Sequence, residues 1–75
     1  MGVAKRMINW QQVILNLNNA GLSCERIAKT VSSNQRHIAR IARCEVKEPK
    51  FNTGVRILDL HYDHCFERHQ DVYEA

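Results

Sequence analysis

The sequence predicts an all-α fold, a compact domain of four to five helices with a helix-turn-helix at its centre. Two observations support this prediction. In four successive segments, apolar residues recur at the three-and-four spacing of a buried helical stripe. An Asn or Ser precedes each segment, where its side chain can accept a hydrogen bond from the free N–H groups of a helix start. These candidate caps are Asn9, Ser23, Asn34 and Asn52.

The first helix is predicted over about residues 10–20. Asn9 followed three residues later by Gln12 forms a capping pattern, and Gly21 is a residue type that commonly ends helices. One face of this helix is apolar, and we expect it to pack over the two central helices. Its members are Trp10, Val13, Ile14 and Leu17.

The central motif consists of a second helix over about residues 24–31, a turn at Ser32 and Ser33, and a third helix over about residues 35–43. Neither helix has enough apolar surface to form a core alone, so we expect the two to pack against each other at a steep angle. The apolar residues are Ile27, Ala28 and Val31 in the second helix and Ile38, Ile41 and Ala42 in the third.

The opposite face of the third helix is basic. No acidic residue occurs between Arg26 and Arg43, whereas a merely solvated helix usually mixes lysine with glutamate. In the major groove of DNA, Arg can donate two hydrogen bonds to guanine, Gln can do so to adenine, and an Ala methyl can contact thymine. This pattern favours a DNA-reading helix. We expect base contacts from Gln35, Arg36, Ala39 and Arg40, and a backbone contact from Arg43.

Phosphate contacts are also expected near two helix N-termini, where free N–H groups and a partial positive charge face outward. Ser23 and Cys24 stand at the start of the second helix, although a serine cap with no ligand is the alternative. His37 lies in the first turn of the third helix, where it can bond a phosphate or remain solvated.

The run IAKTVSSNQRHIARI and the following VKEPKF resemble the helix-turn-helix domains of lambdoid phage repressors and Cro proteins, over about residues 9–66. The matching features are an Ile-Ala pair in the first helix of the motif, a Gln that opens the recognition helix, and a Lys-Glu-Pro-Lys-Phe segment. The departures are Ser32 at the usual turn glycine, Ser33 at the usual apolar turn residue, and Glu48 at a frequently basic position.

The resemblance implies a lambda-repressor-like DNA-binding domain. In that family the segment corresponding to residues 44–52 lies along the sugar-phosphate backbone, so the resemblance implies that Lys47 and Lys50 contact phosphates.

The last helix is predicted over about residues 53–69, after a loop that Pro49 interrupts and Phe51 anchors in the core. It has two apolar stripes. We expect the first, consisting of Val55, Leu58, Tyr62 and Phe66, to close the core. The second would then remain as a homodimer interface, because a leftover apolar patch usually marks a partner surface. Its members are Ile57, Leu60, His61 and Cys65.

Seventy-five residues suffice for one domain, and we expect a loose arm at 1–8, a DNA-binding domain at 9–69 and a tail at 70–75. The tail can be loose or can add a strand to the dimer interface, and Lys5 and Arg6 in the arm could reach DNA. Residues 26–50 hold seven Lys or Arg against two Glu, whereas residues 51–75 hold two Arg against five acids. This asymmetry suggests one face for a polyanion and another kept away from it.

Several functional classes are not expected. Three widely spaced cysteines indicate reduced thiols in the cytoplasm, and no stretch approaches the roughly 20 apolar residues that span a bilayer. His61, Cys65 and His69 fall on one face of a single predicted helix with no clear fourth ligand, which is atypical of zinc. Neither a phosphate-binding glycine loop nor an oriented Cys-His pair is evident. We therefore expect no enzyme, metal, cofactor or small-molecule substrate.

These observations predict a sequence-specific regulator that binds double-stranded DNA in the cytoplasm of a bacterial host. The resemblance implies a Cro-like phage or prophage repressor, and we expect a homodimer that places two recognition helices one DNA turn apart, about 34–36 Å, on a palindromic operator. One alternative is a protein-interaction module that binds a host protein through its last helix and acidic tail. Another is a DNA-binding activator.

Overall fold

The computed structural model describes residues 7–74, which form four α-helices, one 3-10 helix and two short strands. The strands β1 (Met7–Ile8) and β2 (Tyr73–Glu74) pair antiparallel, with Ile8 opposite Tyr73. The expected helical fold of four to five helices is thus confirmed. The helices are α1 (Trp10–Asn19), α2 (Cys24–Thr30), α3 (Gln35–Ala42), α4 (Phe51–His64) and the 3-10 helix (Phe66–Val72).

The first three helices begin at the predicted residues. The side-chain oxygens of Asn9, Ser23 and Asn34 each accept a hydrogen bond of 2.7–3.1 Å from the backbone N–H three residues ahead. Each bond satisfies one of the N–H groups that a helix start leaves without a partner.

The first three helices also share one way of ending. Gly21, Ser32 and Cys44 have φ values of 100°, 58° and 62°, in the left-handed region. The N–H of the residue after each of them donates to the carbonyl five residues back, at 2.8–3.0 Å. This is the Schellman arrangement, which satisfies a carbonyl at the helix end. The expected turn at Ser32 and Ser33 is confirmed.

The core lies between α1, the α2–α3 pair and the inner side of α4. Helix α2 packs mainly against α3, and α1 crosses both α3 and α4. Trp10 is half-buried at the edge of this core, against Gly54, where an added Cβ would come within 3.1 Å of the indole. The buried apolar side chains are Val13, Ile14, Leu17, Leu22, Ile27, Ala28, Val31, Ile38, Ile41, Ile57, Leu60 and Val72.

Helix α4 begins two residues earlier than predicted. Asn52 therefore lies inside the helix, and Lys50 precedes it without a side-chain cap. Phe51 does not anchor the loop, because its side chain is 82% exposed. Trp10 and Pro49 instead lie against the inner surface of the helix at Gly54.

The prediction of which stripe of α4 faces the core is wrong. Ile57, Leu60 and His61 are buried, and Cys65 is half-buried against the core. These four residues are therefore unavailable as the exposed dimer interface that we expected. The other stripe lies outside: Val55, Tyr62 and Phe66 are exposed and Leu58 is half-buried. Helical spacing alone could not choose between two adjacent apolar stripes, and packing against α1 made the choice.

The single helix predicted over residues 53–69 is interrupted at Cys65, where φ is −130°. The chain then turns, so that the 3-10 helix brings Val72 into the core with no solvent exposure. Residues 70–74 of the expected tail thus belong to the folded domain. Residues 7 and 8 of the expected arm are in β1, while Lys5 and Arg6 lie outside the described residues.

Candidate nucleic-acid interface

Helix α3 has the two faces that the sequence predicts. Ile38 and Ile41 have no solvent exposure, and they attach the helix to the core. The four residues expected to contact bases all lie on the side away from these two isoleucines. Gln35, Arg36 and Arg40 are exposed, and the smaller Ala39 between them is half-exposed.

Two neighbours hold α3 in place besides its apolar face. Helix α2 packs along it. From α1, the side-chain Nε2 of Gln11 donates to the backbone carbonyl of Ala42, at 3.0 Å. This bond satisfies one of the carbonyls that the end of α3 would otherwise leave free. Sequence reasoning missed Gln11, because its partner is 31 residues away and no local pattern connects them.

Glu45 is the second residue that sequence reasoning missed. Its two carboxylate oxygens lie 3.4 Å from Nε of Arg40 and 2.9 Å from Nε of Arg43. The hydrogen bond and charge of Arg43, followed by the charge of Arg40, hold the pKa of Glu45 below its ordinary value. The Schellman turn at Cys44 folds the chain back and so places Glu45 beside both arginines. The sequence signal that could have revealed this contact is an acidic residue two positions after the predicted end of a basic helix.

The remaining positive charge next to α3 is open to solvent. Among the residues the structure describes, Arg36 forms no ion pair, and neither do Lys47 and Lys50 in the loop after α3. All three are exposed. On α2, Lys29 lies 3.7 Å from Glu25, but such an exposed pair is weak and screened by salt. Each of the three is therefore a cation whose charge no ion pair among the described residues neutralises.

The side chains of the other three expected phosphate contacts are either hydrogen-bonded within the protein or partly buried. Ser23 is exposed, but its Oγ already accepts the N–H of Arg26. Cys24 is half-buried, with Sγ 4.0 Å from Nδ2 of Asn18. His37 is half-buried in the first turn of α3.

We expected no metal site at His61, Cys65 and His69. His61 and His69 bond to each other through their Nδ1 atoms, which are 2.9 Å apart. Within the described part of the chain, no three His, Cys, Asp or Glu side chains are grouped so that they could hold a metal ion.

Between residues 7 and 74, no helix has both the length and the apolar character needed to cross a bilayer. No family model, curated protein or solved structure matches the chain.

Proposed function

We propose that this protein is a sequence-specific regulator of transcription that binds double-stranded DNA. In this proposal it is a Cro-like repressor with a lambda-repressor-like arrangement of helices, which acts as a homodimer on a palindromic operator in the cytoplasm of a bacterial host. One observation supports it above all others. The short helix α3 buries Ile38 and Ile41 while exposing Gln35, Arg36 and Arg40 together on its other side.

In the proposed complex, α3 enters the major groove, whose width admits one helix. The base-reading side chains are Gln35, Arg36, Ala39 and Arg40. Phosphate contacts fix the position of the domain without reading the sequence. They come from Arg43, Lys47 and Lys50, and at the edges of the interface from Ser23, Cys24 and His37.

Glu45 has a positioning role in this proposal. Its carboxylate accepts a hydrogen bond from Nε of Arg43 and forms an ion pair with Nε of Arg40. Because both contacts are made at Nε, the terminal guanidinium nitrogens remain free to donate. A guanidinium held in one orientation loses less conformational entropy when it binds a base edge or a phosphate.

The test starts by selecting bound sites from a random-sequence DNA pool. Arg40→Ala should then weaken binding to the selected site by about 1–3 kcal/mol and relax the preference at one base pair. Lys47→Ala should weaken binding to selected and random DNA alike. It should also reduce the slope of log K against log salt by about one, which corresponds to one lost phosphate contact. Arg68→Ala, an exposed arginine of the 3-10 helix, is the matched control and should change neither.

Two results would contradict the proposal. One is the absence of salt-sensitive retention of any selected fragment at low salt. The other is an equal loss of affinity on selected and random DNA for Arg40→Ala, because direct base contact requires a larger loss on the selected site.

A second candidate function is favoured by the exposed apolar surface of α4 and the start of the 3-10 helix, which includes Tyr62 and Phe66. In that case the domain is a protein-interaction module that binds a host protein. The same gel-shift series separates the two functions, since such a module retains no DNA fragment at low salt.

A further inference from the structure

Helix α4 has an exposed apolar stripe that the protomer leaves uncovered. We call Phe51, Val55, Leu58, Tyr62 and Phe66 the α4 stripe. The spacing of three or four residues places the first four along one side of α4, and Phe66, which follows the break at Cys65, joins them through its ring contact with Tyr62. Val55 is 41% exposed, Tyr62 50% and Phe66 62%, and the last two rings pack edge to face with centroids 4.9 Å apart. An aromatic surface of this kind on a small domain commonly marks an interface.

The α4 stripe is arranged symmetrically about the midpoint between Leu58 and Asp59. Phe51 and Phe66 are equally far from this midpoint along the chain, and so are Val55 and Tyr62. If a second copy packs antiparallel with its two-fold axis there, the two Leu58 side chains meet at the centre. Val55 then faces Tyr62 of the second copy, and Phe51 lies toward the end of the interface where Phe66 of the second copy packs on that tyrosine. The small Val55 of each copy thus opposes the large Tyr62 of the other.

The charges beside the stripe are complementary in the same arrangement. Arg56, Asp59 and Asp63 are all exposed and follow one another at helical spacing along one flank of the stripe. A two-fold axis perpendicular to antiparallel helices brings this flank of one copy next to the same flank of the other. Arg56 then lies between Asp59 and Asp63 of the second copy, by helical rise about 3 Å from the level of each.

A parallel pair of helices does not have this complementarity. There, the charged flank of one copy would meet the opposite side of the stripe in the other copy. That side contains Gly54 and His61, which are buried within their own protomer.

We propose that the α4 stripe binds a second copy of this chain, with the two α4 helices antiparallel. This inference names the surface that forms the homodimer of the proposed function. It concerns the protein without DNA, and so it rests on the proposed function only for the existence of a homodimer. If the chain dimerises through α4 but does not bind DNA, the proposed function alone fails. If the chain binds the selected operator as a dimer that Tyr62→Asp leaves intact, the interface alone fails.

The first experiment is sedimentation equilibrium of the full chain without DNA, over a range of micromolar protein concentrations. The wild type should be a dimer whose fraction rises with concentration. Tyr62→Asp should raise the dissociation constant at least about tenfold, as expected for a large aromatic residue buried in an interface. Leu15→Asp, which places the same charge at an exposed leucine of α1, is the matched control and should leave the dimer intact.

The second experiment tests the antiparallel orientation. Arg56→Asp makes the flank entirely acidic, and the double variant Asp59→Arg with Asp63→Arg makes it entirely basic. Each variant alone should dimerise more weakly than the wild type, because like charges then oppose each other. An equimolar mixture of the two should form a heterodimer.

Circular dichroism should show native helix content for every variant, since all the changes are at exposed residues. A wild type that stays monomeric at all concentrations would overturn the inference. Dimerisation that Tyr62→Asp leaves unchanged would do the same, as would a mixture of the two charge variants that forms no heterodimer. A host protein that binds the stripe of a monomeric chain would identify the other kind of occupant.

Discussion

Ser32 and Cys44 are the two non-glycine residues with a positive φ in the described part of the chain. Both occupy the left-handed position of a helix-ending turn, where Gly21 stands at the end of α1. In that region a side chain with a Cβ approaches the neighbouring carbonyl too closely, at a cost of roughly 1–2 kcal/mol. The sequence indicated a turn at Ser32, but Cys44 is not a turn-forming residue type, so its conformation is evident only from the structure.

We predict that Ser32→Gly and Cys44→Gly each raise the free energy of unfolding by about 1 kcal/mol, because glycine adopts a positive φ without this steric cost. For a domain of this size, thermal unfolding should show a rise in Tm of about 4–8 °C for each change. Ser33→Gly is the matched control, since Ser33 is adjacent but does not have a positive φ. An equal rise for Ser33→Gly would show that the effect does not come from the backbone conformation.

Among the helices, the first three begin where the sequence predicts and α4 does not. An Asn or Ser cap and its N–H partner are three residues apart, so the signal is contained in the local sequence. The end of α4 depends on distant partners instead. The turn at Cys65 allows Val72 to enter the core, and the carbonyl of Val72 accepts the N–H of Asn9 at 2.8 Å. Helical periodicity up to His69 could not show that this packing would interrupt the helix.

The packing of the chain end against the core leads to a prediction for two valines. Val72→Ala should lower the free energy of unfolding by about 1–3 kcal/mol, because it leaves a cavity where no solvent reaches. Val55→Ala makes the same change at an exposed position and should remain within about 0.5 kcal/mol of the wild type. Urea unfolding of dilute protein measures both, and dilution keeps any association through α4 out of the comparison. Equal losses would show that the 3-10 helix does not pack as described.

At the scale of the whole molecule, a chain of hydrogen bonds crosses the interior. Nε2 of Gln12 donates to Oδ1 of Asn16, which leaves Nδ2 of Asn16 to donate to Nε2 of His61, at 3.1 Å. His61 must then carry its proton on Nδ1, which faces Nδ1 of His69 at 2.9 Å. Nε2 of His69 in turn lies 3.3 Å from the hydroxyl of Tyr73. This series of hydrogen bonds joins α1, α4, the 3-10 helix and β2, and it forms completely only while His61 is neutral.

This network predicts that stability falls in mild acid. Burial lowers the pKa of His61 below its ordinary value of about 6.5, and the nearby His69 lowers it further. As the pH falls below about 6.5, unfolded chains take up a proton at this residue before folded chains do. The free energy of unfolding should therefore be highest above that pH and decrease as the pH falls through the lowered pKa of the folded state.

Urea unfolding from about pH 5 to pH 8 measures this dependence. Besides His69, the polar groups next to His61 are Asn16 and Cys65, whose Sγ donates to the carbonyl of Asn16 at 3.4 Å. Burial raises the pKa of Cys65, so this thiol stays protonated throughout the range. His61→Leu should remove most of the slope, whereas the exposed His64→Gln should retain it. A slope that persists unchanged in His61→Leu would assign the effect to other groups.

The amino-acid sequence by itself determined the helical class, the starts of α1, α2 and α3, the turn at Ser32 and the basic outer face of α3. All of these depend on residues at most a few positions apart, through capping and the helical period. Only the tertiary structure decided which stripe of α4 is buried, where α4 ends and which acid contacts Arg40 and Arg43. The buried stripe contains His61, whose bond to Asn16 spans 45 residues. Two apolar stripes of similar character are equivalent until such a distant partner covers one of them.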